Sequence, residues 1–374
     1  MNRQDIIVSR IIKGNQARPD LRYVVVTHAR DVYITDAVPK GHQAIGRSNF
    51  EIALTDAFYE HIRSFARSAH NRNVYALSVY TDDRHTFLLY LNTQEGFERT
   101  VAESPYYSQY TEEQKHDLQY SLGDFAFSYD SFSGPFASQY AAYHDAVKAL
   151  SAAGGFEGLE AHKGSPDLVR YVYKAELFEG GQYQTALRVT KKLLAQSVWL
   201  LQTTPDFVAF ASSGSEYIDY SMVMRQTIEL KRFYQVFPEM KSHDEAFQTA
   251  VEKAKSLPHS EQVAFWWDRV KENRNRNPEA LLTATVRTDY QAIEALAAGG
   301  ASLLPAVMQA LRSAVQQKDE EKTSFLCEVL LEAGGLSREV LGEMAAAIEY
   351  APPGDHEIRA QLNRTRQELT SRLQ

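Results

Sequence analysis

The chain reads as an α+β protein: an N-terminal antiparallel-sheet domain with packed helices, followed by an all-α domain of helical hairpins. Three observations predict this. Short β-branched and aromatic runs are confined to the part before about residue 241, and amphipathic helical runs are interleaved with them. From Ser242 onward only helical periodicity remains. At 374 residues the chain is also too long for one ordinary core. The expected divisions are 1–47, a helix and hairpin belonging to the first domain; 48–241, the rest of the α+β domain; and 242–374, the helical domain.

In order along the chain, Gln4 to Lys13 predicts a short helix ending at Gly14. Tyr23–Thr27 and Val32–Thr35 predict an antiparallel hairpin. Ser48-Asn49-Phe50-Glu51 matches a capping box, and Phe50, Leu54, Phe58, Ile62 and Phe65 recur at helical spacing, so a helix is expected to about Ala69. Val74–Tyr80 and Thr86–Leu91 predict paired strands, apolar on both faces and hence central in their sheet. A short helix is expected from Thr93 to Ala102. Asp124–Tyr129 predicts a strand with Phe125, Phe127 and Tyr129 on one face. Pro135 can open a helix that stops at Gly154-Gly155. Helices near Asp167–Phe178 and Tyr183–Ser197, a strand at Pro205–Ala211 and a polar loop at Ser212–Ser215 complete the first domain.

The second domain reads as helices at Asp244–Ser256, Ser260–Asn273, Asp289–Ala298, Ser302–Gln317, Glu320–Ala333, Ser337–Tyr350 and Glu357–Leu373. Ala298-Gly299-Gly300-Ala301-Ser302 resembles Ala333-Gly334-Gly335-Leu336-Ser337. The helices that follow align too, Val307, Leu311, Ala314 and Val315 answering Val340, Met344, Ala347 and Ile348. This repeat suits stacked hairpins of the HEAT or armadillo type, with an irregular bundle as the competing arrangement.

Composition bounds the function. Hydrophobic residues at 44% and charged residues at 24% are those of a globular chain. The net charge of −8 opposes non-specific attraction to nucleic acid or anionic lipid. No run approaches the roughly 20 apolar residues of a membrane span. The first ten residues lack a signal-peptide core, so a cytoplasmic location is expected. The one cysteine, Cys327, allows neither an intrachain disulfide nor a cysteine-based zinc site, and its apolar helical setting predicts a buried, inert thiol.

No phosphate-binding glycine loop, His-Glu-x-x-His or Gly-x-Ser-x-Gly pattern is present, so no catalytic residue, metal or cofactor is assigned. The paired glycines read as helix stops. One polar cluster stands out, Asp82, Asp83 and His85 in the turn between the paired strands, with Asp124 as a further carboxylate. Carboxylates beside an imidazole can hold a divalent cation or exchange protons. They are equally the ordinary residues of a hairpin turn. The tyrosine-rich stretch from Tyr106 to Tyr143, with Tyr106, Tyr107 and Tyr110 at its head, carries Lys115 as its only lysine or arginine. Base-stacking platforms need interleaved cations, so core or protein-interface tyrosines fit better. Phe265-Trp266-Trp267 sits in a helix, where one indole can be buried while the other faces a partner. The basic residues Arg269, Lys271, Arg274 and Arg276 beyond it read as a solvated helix end.

The capped helix with Tyr75-Ala76-Leu77, Tyr80-Thr81-Asp82-Asp83, and Asn92-Thr93 followed by Glu95-Gly96 resembles the bacterial domain-of-unknown-function 4303 family. The match covers about residues 48–99 and extends more thinly to about 240; the family's tryptophan-containing acidic segment has its counterpart here in Tyr120–Tyr129, without tryptophan. The resemblance implies a small α+β module encoded near toxin and immunity genes, hence a protein partner such as a toxin, and carries over no catalytic residue. The leading expectation is a non-enzymatic, immunity-type binding protein whose stacked helices offer a surface. The alternatives are a carboxylate or metal-dependent hydrolase using Asp82, Asp83 and Asp124 near His85, and a structural subunit of a larger assembly.

Overall fold

The computed structural model describes residues 22–82, 84–160, 168–178, 182–213, 224, 228–274, 285–286, 289–333, 338–351 and 356–373. The expected helix at Gln4–Lys13 and the Gly180-Gly181, Gly334-Gly335 and Pro352-Pro353-Gly354 stops lie outside these residues. The chain divides between Val236 and Phe237, slightly before the expected boundary at Ser242. The fold is α+β, with both sheets in the first unit.

The first unit holds strands β1 (Tyr23–Thr27), β2 (Val32–Thr35), β3 (Ala44–Ile45), β4 (Val74–Thr81), β5 (Phe87–Thr93), β6 (Phe127–Tyr129), β7 (Val169–Lys174) and β8 (Thr203–Ser213). Its helices are α1 (Arg47–Ala66), α2 (Gln94–Glu103), α3 (Glu112–Leu118), α4 (Gly134–Ala152), α5 (Gln182–Ser197) and α6 (Leu230–Val236). One sheet has the order β2-β1-β7-β3 and the other β6-β5-β4-β8. The expected β1–β2 and β4–β5 hairpins form with antiparallel register, Val25 opposite Tyr33 and Val79 opposite Leu89. β4 is central as expected, and β8 joins it in parallel, so that Thr81 pairs with Ser213.

Residues 169–174 correct the reading of a helix there. Val-Arg-Tyr-Val-Tyr-Lys is a β-branched and aromatic run, and β7 lies between β1 and β3 with Val172 opposite Val25. A second correction concerns α1. It starts one residue before Ser48, and the Gly46 N–H donates to Asn49 Oδ1 at 3.4 Å while the Arg47 N–H donates to Glu176 Oε1 at 3.3 Å. Glu51 is therefore not a cap. Its carboxylate is buried between α1 and α5, accepting Arg188 Nε at 2.6 Å with Lys192 Nζ 3.6 Å away.

The apolar stripe of α1 forms as its spacing predicts. Phe50, Leu54, Phe58, Ile62 and Phe65 are all buried, each adding about 1.5–3 kcal/mol of burial free energy. α1 and α5 pack together, and α5 lies on β4 and β8, whose Leu77, Val79 and Ala209 belong to the same buried core as Phe87 and Leu89 of β5. α4 lies against β1, β2 and β7, and its Phe136, Tyr140 and Tyr143 rings meet Phe50. Gly154 and Gly155 end α4 at φ +73° and +118°, as expected of helix-stopping glycines. Of the expected strand at Asp124–Tyr129 only Phe127–Tyr129 is regular. Phe127 and Tyr129 meet Phe65 and His61 on the α1 side, whereas Phe125 meets Tyr75 and Tyr90 on the opposite face. His61 is half-buried and bonded to Ser131 O at 2.7 Å.

The second unit holds helices α7 (Pro238–Lys255), α8 (His259–Arg274), α9 (Asp289–Ala297), α10 (Leu304–Gln316), α11 (Glu320–Glu332), α12 (Arg338–Tyr350) and α13 (His356–Leu373). α8 pairs with α9, α10 with α11 and α12 with α13. These hairpins stack, α8 on α10 on α12 and α9 on α11 on α13. The Gly299-Gly300 joint enters α10, so the sequence repeat corresponds to one hairpin. Cys327 is buried in this core, and burial pushes its thiol up to about 12. Among the described residues no helix is long and apolar enough to cross a membrane.

Candidate functional site

The β4–β5 turn is built by Asp82. Its Oδ1 accepts the Arg84 N–H at 3.0 Å and the Thr86 N–H at 2.8 Å, a side-chain turn that spends the carboxylate on the backbone. His85 sits at φ +60° with its N–H on Asp82 O at 3.2 Å. Asp83 lies outside the described residues. The His85 ring turns toward α4 and α5. Its Nδ1 is 3.1 Å from the Tyr143 hydroxyl and in contact with Gln182 Nε2. Tyr143 and Gln182 Nε2 also donate to Leu177 O, at 3.1 and 3.0 Å. The bond to a carbonyl fixes the amide nitrogen of Gln182 as the end facing His85.

Asp124 lies elsewhere. Its Oδ1 accepts the Tyr107 hydroxyl at 2.8 Å, and its backbone oxygen accepts Thr100 Oγ1 at 3.4 Å. Its charge acts on Tyr75, at the start of β4, while that of Asp82 acts on Tyr140 and Tyr90. At ~3.3 Å per strand residue the two ends of β4 are about 20 Å apart. Asp82 and Asp124 therefore do not converge. Among the described residues no group of three His, Cys, Asp or Glu side chains could hold a metal ion.

The motif residues do structural work between these two places. Asn92, fully buried, donates through Nδ2 to the Tyr75 hydroxyl at 2.7 Å and accepts through Oδ1 from the Thr93 and Ala126 N–H groups at 3.0 and 3.3 Å. Tyr75 passes its own proton to Gln119 O at 2.6 Å. Thr93 caps α2 by accepting the Gly96 N–H at 3.0 Å. A Cβ on Gly96 would stand 2.8 Å from Ala126 Cβ and 2.9 Å from Asn92 Oδ1, so glycine is needed for this approach. Glu95 accepts Asn73 Nδ2 at 2.9 Å and pairs with Arg72 at 3.3 Å. The Tyr75–Gln119 and Asn92–Ala126 bonds clamp the segment between α2 and β6 onto the sheet, and the Tyr107–Asp124 bond ties its tyrosines to that segment.

That segment presents tyrosines. Tyr106 is 68% exposed, and Tyr107 and Tyr110 are half-buried beside it. The three rings touch one another, with centroids 5.9 Å apart for Tyr106–Tyr107 and 5.3 Å for each pair with Tyr110. The Asp124 carboxylate holds the Tyr107 hydroxyl protonated, pushing it up to about 12. Hydrogen bonding to Tyr106 raises Tyr110 as well.

The tryptophan expectation is corrected. Trp266 is 1% and Trp267 4% exposed, Trp266 against Phe247 and Trp267 against Phe325. The stacked hairpins cover both sides of α8, so neither indole faces out. Arg269 is not a solvated helix end either: it folds over the Phe265 ring and donates to Phe265 O at 3.0 Å. Lys271 pairs with Asp268 at 3.0 Å, while Arg276 and the Arg274 side chain lie outside the described residues. The exposed indole is instead Trp199, at 71%, in a turn just past α5. Its position after the last apolar repeat of α5 was the available signal. No family model, curated protein or solved structure matches the chain.

Proposed function

We propose that the protein is a protein-binding module of the immunity type, one that masks a toxin by occupying its surface. The observation that carries this reading is the Tyr106–Tyr107–Tyr110 cluster, an exposed aromatic patch on a segment clamped to the sheet. Tyrosine suits an interface because its ring contributes apolar area and its hydroxyl stays wet. A clamped patch loses little conformational freedom on binding. The likeness of residues 48–99 to the domain-of-unknown-function 4303 family points the same way. The hydrolase alternative needs Asp82 and Asp124 in one place, and they stand at opposite ends of β4.

An acidic protein suits a basic partner, since opposite potentials speed encounter. Affinity purification of the full chain from its native host tests the reading. The expected result is one basic protein recovered in stoichiometric amount, and retained by an Asp82→Ala/His85→Ala bait. Recovery of no stoichiometric protein overturns it.

A further inference from the structure

Asp124 is a half-buried carboxylate whose side chain has one partner among the described residues, the Tyr107 hydroxyl, and no cation. The one lysine of this stretch of sequence, Lys115, is engaged by Glu112 at 2.7 Å. From Glu103 to Asp130 the sequence holds six carboxylates, Glu103, Glu112, Glu113, Asp117, Asp124 and Asp130, against that one lysine. A partly desolvated carboxylate with no counter-ion among the described residues, bonded to one ring of a tyrosine cluster, is half of a recognition site for a cation.

The ring spacing decides which cation. With centroids 5.3–5.9 Å apart the rings fill the space between themselves, leaving no cage to enclose an ammonium group. A cation must lie on the outer face, where Tyr106 is open. A planar guanidinium stacks on such a face and reaches a carboxylate with its donor fork, whereas an ammonium is a strongly hydrated point charge. We infer that the Tyr106–Tyr110–Asp124 patch is a docking site for an arginine side chain of a basic protein partner. This rests on the protein-binding reading above and names the chemistry the partner brings.

Two peptides of equal charge, Gly-Arg-Gly-Arg-Gly and Gly-Lys-Gly-Lys-Gly, titrated into the full chain by calorimetry, provide the test. The arginine peptide is expected to bind about five-fold more tightly. Tyr106→Ala and Asp124→Asn each abolish that preference, and Tyr106→Phe, which keeps the ring face, retains it. Far-UV circular dichroism confirms that each variant is folded. Equal affinities, absence of binding, or a preference that survives Tyr106→Ala overturns the site. The two levels separate cleanly: a partner still captured by Tyr106→Ala removes this patch but leaves a binding protein. An intact arginine preference with no partner captured does the reverse.

Discussion

Replacing Asn92 by alanine tests whether the motif residues form a clamp rather than a reactive centre. The side chain is fully buried and makes three hydrogen bonds, donating to Tyr75 and accepting from the Thr93 and Ala126 N–H groups. Truncation orphans the buried Thr93 N–H at about 1–3 kcal/mol, leaves the part-buried Ala126 N–H to water, and removes a bond worth about 1 kcal/mol. Tyr75 keeps its own bond to Gln119, and water entering the vacated space recovers part of the loss. The expected cost is about 3 kcal/mol, a large share of the ~5–15 kcal/mol that holds a domain. At about 2–4 °C per kcal/mol, the first unit should melt about 6–12 °C lower. Calorimetry gives the shift, and hydrogen exchange locates it, with the Ala126 and Thr93 amides accelerating most. A change below ~1 kcal/mol, or unchanged exchange at Ala126, would refute the clamp.

Other outcomes follow from the same geometry. Glu51→Gln should destabilise the first unit by about 1–2 kcal/mol in urea, because Arg188 and Lys192 are partly solvated, and less so at high salt. Trp266→Ala should cost the second unit about 3–5 kcal/mol in thermal unfolding, because the indole is buried among stacked helices. Acrylamide should quench Trp199 strongly and leave Trp266 and Trp267 protected, which fluorescence of single-tryptophan variants will show. Alkaline titration should be cooperative. Burial raises Tyr140, Tyr143 and Tyr183, and Asp124 raises Tyr107 to about 12. Stability from these groups is complete below the unfolded tyrosine value near ~10 and is lost as pH climbs toward 12, so the phenolate absorbance of the buried tyrosines should rise with unfolding rather than before it.

Helices and hairpins with a strong period were legible in the sequence because one local pattern decides each. The α1 stripe, the β4–β5 pair and helices α7 to α13 belong to this class. What escaped depends on partners distant in sequence. β7 becomes a strand because β1 and β3 flank it, from residues more than a hundred positions away. Glu51 looked like a cap because its spacing from Ser48 fits one, yet Arg188 on another helix claims it. The site was legible only as residue types. Asp82, His85 and Asp124 stand out in the sequence as carboxylates near an imidazole, but residue type does not reveal that β4 separates Asp82 from Asp124. Likewise, a Trp-Trp pair on one helix says nothing of how many neighbours that helix has; α8 has three.

The most direct measurement is a paired capture from the native host with the wild-type chain and a folded Tyr106→Ala/Tyr110→Ala variant as baits. Recovery of a stoichiometric basic protein by the first and its loss with the second is the predicted result. Equal recovery by both baits would contradict the assignment of the tyrosine patch as the contact surface.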